Sequence, residues 1–283
     1  MRVPALDFTH RFAHSLGHGT DSAARPSTQD RVNQRVYHSA WVERYYRSTQ
    51  LSRVETMVLL KYAHAFVGRD VLDVGIGLGR TTLYLAPLAR RYEGIDYSPS
   101  LVQKARERLP GVSLRLADMR GMPMFGDGQF DFIFGSNNVI DAVSHEDRLK
   151  CLAELRRLLR PGGLAVLSSH NRDYHRAMGA PSLAFSRNPV AQARGVVDWV
   201  RQWANHARVG RARRIEPDYA LLNDEGHHYA CLHYYIDQAA QRRQMAERGF
   251  RMLDVLDHEG RSVSPADNTA SSPTLMYVAA VDK

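Results

Sequence analysis

The pattern best suited to chemistry is Val71-Leu72-Asp73-Val74-Gly75-Ile76-Gly77-Leu78-Gly79-Arg80. An apolar run carrying one carboxylate leads into three glycines at every second position, after which Arg80-Thr81-Thr82-Leu83-Tyr84 resumes with helical apolar spacing. That order reads as strand, tight turn, helix. Glycine reaches positive φ and lacks a Cβ, so a ligand can lie directly on the backbone. The amides at the helix start are expected to point outward as donors. The implied chemistry is binding of a nucleotide-type ligand. A dinucleotide fingerprint needs its third glycine three positions after the second, where this chain has Arg80.

The pattern that remains, D-x-G-x-G-x-G, resembles motif I of the class I S-adenosylmethionine (SAM) dependent methyltransferases. The resemblance implies that Asp73, Gly75, Gly77 and Gly79 form the turn against the amino-acid end of SAM, which serves as co-substrate. It also implies a carboxylate at the end of the second strand that holds the ribose hydroxyls. Asp96, followed by Tyr97, lies at a suitable distance in Tyr92-Glu93-Gly94-Ile95-Asp96-Tyr97-Ser98. Where the family meets the adenine amino group with an acidic or amide side chain, this chain has Asp118-Met119. Asp118 is the adenine candidate and Met119 an apolar lid; the alternative for Asp118 is a turn or cap residue. The resemblance covers roughly residues 65 to 170 strongly and 230 to 283 weakly.

Displacement at a sulfonium carbon needs alignment, a dry cavity and, for a hydroxyl or amine nucleophile, a base. His170, in Ser169-His170-Asn171 at the expected end of strand five, is the first candidate base; a satisfied structural histidine is the alternative. Tyr174 and His175 follow closely enough to line the same pocket. Ser136-Asn137-Asn138, after strand four, offers amides that orient a substrate beside a cation without adding charge. The assigned set is thus His170, Asn138 and Tyr174 for catalysis, with Ser136, Asn137 and Tyr37 added to the cofactor residues. Tyr37, Tyr45 or Tyr46 would close over the sulfonium, whose charge favours an aromatic face; packing against the main domain is the alternative. No metal is expected. Catechol-type relatives place acids where this chain has Ser136-Asn137-Asn138 and Ser169-His170-Asn171, and the histidines show no recognisable zinc spacing.

The elements that must position these residues alternate as strands and helices, which predicts an α/β fold: a doubly wound, mostly parallel seven-stranded sheet of class I methyltransferase type. It carries an N-terminal helical cap and an insert between strands five and six. Strands are expected at 71–74, 91–96, 112–117, 130–134, 164–168 and 231–236, with a closing hairpin of 251–256 and 274–281. The expected division is 1–66 arm and helical cap, 67–170 SAM-binding core, 171–228 lid or substrate insert, and 229–283 the rest of the core sheet. Ser144 starts a helix whose buried face is read as Leu149, Leu152, Leu155 and Leu158. Val190 to Ala207, with Val196, Val197, Val200 and Trp203, reads as an amphipathic helix over the core, and 219–222 with His227 onward as a hairpin.

Composition bounds the partners. With 44% hydrophobic residues, 283 residues suffice for one ordinary α/β domain and an accessory segment. The formal charge is +8, yet only Lys61, Lys104, Lys150 and Lys283 among the 38 basic residues are lysines, so charge alone decides little. From Arg172 to Arg214 nine arginines face two acids, Asp173 and Asp198, which suits an anionic or carboxylate-bearing small molecule; a solvated helix face is the alternative. The loop after strand four is not an Asn-Pro-Pro-Tyr type, which argues against nucleic acid as substrate. Cys151 and Cys231 have no metal or redox spacing, and no apolar run approaches a signal or membrane span, so a soluble cytoplasmic protein is expected. Oligomeric state is not legible. Methyl transfer to oxygen or nitrogen is the leading reaction. The other is attack on the aminocarboxypropyl arm, by transfer or by ring closure to azetidine-2-carboxylate, which would release methylthioadenosine.

Overall fold

The computed structural model describes residues 27–37 and 48–282. Tyr45, Tyr46 and the histidines of the first 26 residues lie outside the described residues. The central strand β1 (Asp70–Val74) is buried along its whole length between parallel neighbours β2 (Arg91–Asp96) and β4 (Phe130–Gly135). β3 (Leu114–Leu116) lies beyond β2, and β5 (Leu159–Asn171) beyond β4, both parallel. β10 (Thr274–Val281) runs antiparallel to β5, and β9 (Phe250–Leu256) antiparallel to β10. These seven strands make the expected mostly parallel sheet and closing hairpin. Burial on both faces explains their apolar runs: Val71, Phe132 and Val166 belong to one core, Leu72, Ile133 and Leu167 to the other.

Three further strands bring the sheet to ten. β8 (His233–Ile236) pairs only with the last two residues of β5, as His170↔Tyr235 and Asn171↔Ile236. It is extended antiparallel by β7 (Ala220–Leu222) and then β6 (Arg214–Ile215). The expectation that 231–236 forms strand six of a seven-stranded sheet is thereby corrected. β10 occupies the other side of β5 up to His170, so β8 takes the side that β4 leaves open past Gly135. Its pairing with β7 is the expected hairpin, returning at His233 rather than His227.

Helices follow their local signals. Helix α1 (Thr28–Tyr37) is the first described element. Ser52 and Glu55 cap α2 (Arg53–Lys61) reciprocally, and the short α3 (Ala63–Phe66) follows. After the glycine turn come α4 (Thr82–Leu85) and α5 (Pro99–Arg108). The Ser144 hydroxyl accepts from the Asp147 amide at the start of α6 (His145–Leu158). Its buried face includes Leu152, Leu155 and Leu158 as expected, but Arg148, not Leu149, is fully buried beside them. In the insert, α7 (Pro189–Val209) forms, but only Val209 is buried. Val190, Val197 and Val200 are each more than half exposed, so the helix does not lay its apolar face on the core among the described residues. Asp237 caps α8 (Gln238–Glu247).

Candidate active site

The glycine turn leaves β1 where the strand order reverses between β1 and β4, the place where open parallel sheets bind ligands. Gly75, Gly77 and Gly79 all have positive φ. At Gly75 the need is also steric, because an added Cβ would run into Val139. The amides of the turn itself are spent within the fold: Gly75 and Ile76 donate to the Ile95 carbonyl, Gly77 to Asp96 Oδ2 at 2.8 Å, and Gly79 to Ile76. The turn therefore offers an apolar backbone surface at these positions rather than a phosphate cradle.

Asp96 links this turn to the end of β2. Its Oδ2 receives the Gly77 amide and its Oδ1 the Ser98 amide at 2.9 Å. Asp96 and Tyr97 line a cavity of about 420 Å³ together with Gly75, Gly77, Asp118, Met119, Ser136, Asn137 and Tyr37. Nine of the residues assigned to the cofactor are thus brought around one space. Asp73 and Gly79 do not line it. The Asp73 carboxyl is turned inward, accepting from Thr81 Oγ1 at 2.6 Å and Tyr92 Oη at 2.7 Å. Burial raises it to about 7, against the pull of those hydrogen bonds. Asp118 is gripped by Arg120, which also reaches Asp147 at 2.8 Å.

Among the lining residues that the sequence did not single out are Arg80 and Glu55. Arg80, the residue that breaks the dinucleotide pattern, makes a two-pronged pair with Glu55 at 2.5 and 2.7 Å, and its guanidinium lies 3.4 Å from Ser136 Oγ. Burial alone would raise the Glu55 carboxyl, but the hydrogen bond and charge of Arg80 bring it below its ordinary value. The capping-box spacing of Ser52 and Glu55 was the available signal, and it speaks only of a helix start.

His170 and Tyr174 face elsewhere. They line a second cavity, of about 240 Å³, with Arg176, Asp224, Tyr229 and Tyr235. The expectation that His170 faces the cofactor space is corrected: it is not among the residues around the larger cavity and lines the second one, where β8 adds to β5. Asp141 accepts from both the backbone amide and Nδ1 of His170 at 2.7 Å, which sets Nε2 as the nitrogen available to a ligand. Asp141 is itself fully buried against Arg148 and Ser169. Burial alone would raise its carboxyl; Arg148 and His170 outweigh that and hold it below the usual range. Arg148 is completed by Gln241, Gln244 and the face of Tyr234. Asn138 lines neither cavity. It has a left-handed backbone, its amide donates to Ser168 Oγ, and its buried Oδ1 has no hydrogen-bond partner among the described residues.

A line of rings joins the two spaces. Tyr97, Tyr37, His227, His233, His170 and Tyr235 stand in that order with successive centroids 6.1, 5.2, 5.9, 4.8 and 4.8 Å apart.

Residues 71–163 match the family described as a methyltransferase domain. The matched segment holds the glycine turn, Asp96, Asp118 and Asn137, so the part of the chain that is similar to methyltransferases is the part that builds the larger cavity. A probable SAM-dependent methyltransferase of Mycolicibacterium smegmatis is 30% identical over 155 residues, 54% of this chain and 56% of that protein. The chain spans about half the length of the first curated relatives it matches. Among solved structures, the CcbJ methyltransferase of Streptomyces caelestis superposes with a TM-score of 0.59 at 18% identity, covering 88% of this chain and 98% of that one. The 1,6-didemethyltoxoflavin-N1-methyltransferase of Burkholderia thailandensis, solved with its substrate and S-adenosylhomocysteine, gives 0.56 at 17% identity, covering 94% and 99%. These likenesses carry the methyltransferase fold across the matched domain and the hairpin that closes its sheet. Among the described residues no helix is long and apolar enough to cross a membrane.

Proposed function

We propose that the chain transfers a methyl group from SAM to oxygen or nitrogen of a small molecule. The observation that carries this reading is Asp96, fixed by two backbone amides on the wall of the larger cavity and inside the segment that matches the family. Each of its oxygens keeps a lone pair for a ribose hydroxyl. Asp118 would take the adenine amino group, with Met119 against the ring. At the other end the Arg80–Glu55 pair, neutral as a unit, suits a zwitterion: the guanidinium for the carboxylate, the carboxylate for the ammonium. Asn137 and Tyr37 border the sulfonium in this placement, and no metal is required for the transfer.

The acceptor is assigned to a position that reaches from the sulfonium, past Tyr37 and His227, into the second cavity. His170 Nε2 takes the proton of the attacking hydroxyl or amine, while Asp141 stabilises the imidazolium that forms. The methyl carbon gains its bond to the acceptor as its bond to sulfur breaks, leaving neutral S-adenosylhomocysteine. Of the nine insert arginines only Arg176 lines this cavity, while Arg194, Arg201 and Arg208 lie exposed on α7. Arg176 favours an acceptor with a carboxylate or another anionic group. The arginines of α7 form a solvated face.

Mass spectrometry of the protein with SAM alone and with a metabolite extract tests the reading. S-adenosylhomocysteine accumulating only with extract is the expected result. Methylthioadenosine formed from SAM alone, beyond the uncatalysed control, would replace it with attack on the aminocarboxypropyl arm.

A further inference from the structure

His227, Cys231 and His233 are all buried, and each offers a ligand atom within 4.8 Å of the other two. Nitrogen and sulfur ligands held about 2.0–2.3 Å from one ion at tetrahedral angles lie roughly 3.3–3.8 Å apart, so side-chain shifts of well under an ångström suffice to close the group. The directions suit as well. Cys231 lies two residues before His233, at the bend that leads into β8. The rings of His227 and His233 are inclined at 54° with centroids 5.9 Å apart, an arrangement in which in-plane lone pairs can converge. His170 and His233, by contrast, are stacked at 15°, so their lone pairs lie in nearly parallel planes and cannot share an ion without a ring turning.

Two features of the surroundings point the same way. The Nδ1 of His233 lies 2.9 Å from Asp224 Oδ2, which leaves Nε2 as the ligating nitrogen and reproduces the carboxylate–histidine arrangement that orients ligands around zinc. Asp224 also receives the Tyr235 hydroxyl on the same oxygen, while its buried Oδ1 has no hydrogen-bond partner among the described residues. The backbone that delivers His227 is unusual too: His227, His228 and Tyr229 all have φ between 50° and 61°. Consecutive side chains in this region are strained, and such strain gathers at ligand sites.

We propose that His227, Cys231 and His233 bind a divalent ion of the zinc class between the two cavities. The thiolate is the soft ligand that selects such an ion over magnesium or calcium. Three protein ligands leave a fourth position open to water or acceptor. The inference stands apart from methyl transfer and is read without SAM.

Cobalt is the probe. The full chain, stripped with chelator and titrated with Co²⁺, is expected to take up one equivalent and to develop a thiolate-to-cobalt charge-transfer band in the near ultraviolet. Cys231→Ser should abolish the band, and zinc should raise the melting temperature of the parent protein but not that of a Cys231→Ser/His227→Gln variant. Circular dichroism checks that both variants are folded; if they are not, cobalt uptake and the band in the parent protein decide alone. No stoichiometric uptake by the parent, or an unchanged band in folded Cys231→Ser, would overturn the site.

Discussion

Around the larger cavity the assigned cofactor side chains come mainly from successive strand ends between residues 74 and 137, whereas those around the smaller one are gathered from 170 to 274 by strands that pair far from each other in sequence. The first region is organised by backbone: glycines with positive φ and amides that tie one strand end to the next. The second is organised by buried charge, with Arg148, Asp141, His170, His233 and Asp224 forming a connected line of ion pairs and ring contacts. A backbone-built site tolerates changes in its side chains; a charge-built one depends on every member, because removing one partner leaves another buried and uncompensated. Stability should therefore respond most sharply to changes in the second region, and cofactor affinity only to changes in the first.

The largest effect is expected at Arg148. Replacing it by Ala leaves Asp141 fully buried without its cation, and chemical denaturation should show a loss of about 3–5 kcal/mol. A loss below about 1 kcal/mol would mean that water or His170 compensates, and the contrast between the regions would fail. The first region contains a fully buried titratable group, which sharpens the comparison. Asp73, raised to about 7, binds a proton in the folded state that the unfolded chain has already lost above its ordinary value near 4. Its contribution is complete in acid and declines as pH rises from about 4 to 7, by up to a few kcal/mol. Asp73→Asn keeps an acceptor for Thr81 and Tyr92 and removes the titration. Melting temperatures of parent and variant should agree near pH 4 and diverge in favour of the variant toward pH 7; parallel curves would refute the assignment.

A smaller effect on stability than at Arg148, with a loss of rate beside it, is expected at His170. His170→Ala should reduce turnover by about 100-fold, the lower range for loss of a general base, while SAM affinity measured by calorimetry stays unchanged. A weakened SAM affinity would place His170 in the cofactor site after all, as its position at a strand end first suggested.

The same contrast explains what the sequence discloses. The glycine turn, Asp96 and Asp118 could be placed because each is fixed by its own strand end, and the strands at 91–96 and 274–281 agree with their expected bounds. The glycine pattern did not disclose that its first amides are spent on β2, since that depends on the Ile95 carbonyl and Asp96 opposite. In the second region the apolar period of α6 pointed to Leu149 and passed over Arg148, because a buried arginine is legible only once Asp141 and the glutamines of α8 are seen around it. The two candidate ligands nearest in sequence, Cys231 and His233, fit no zinc spacing, and the third depends on a left-handed turn that no residue type there announces. The insert helix carries the apolar face that its pattern predicts, yet pattern alone cannot tell which surface, if any, receives it.

The smallest of these effects concerns the backbone-built site itself. Asp96→Ala removes the acceptor for two amides and the proposed partner of the ribose hydroxyls, so SAM affinity should fall about tenfold or more, in line with roughly 1.5–3 kcal/mol for hydrogen bonds to a charged group. Asp96→Asn separates the two roles. Its single carbonyl oxygen can still receive one amide, but its NH₂ would face a second donor, so the turn should loosen even if a ribose contact survives. Calorimetry with SAM and with adenosine divides the outcomes: equal loss for both ligands locates the defect at the ribose, whereas a greater loss for SAM locates it in the glycine turn that meets the amino-acid end. Unchanged affinity for both in Asp96→Ala would show that the carboxylate serves only to join β1 to β2, and the assignment of this cavity to a nucleoside would lose its main support.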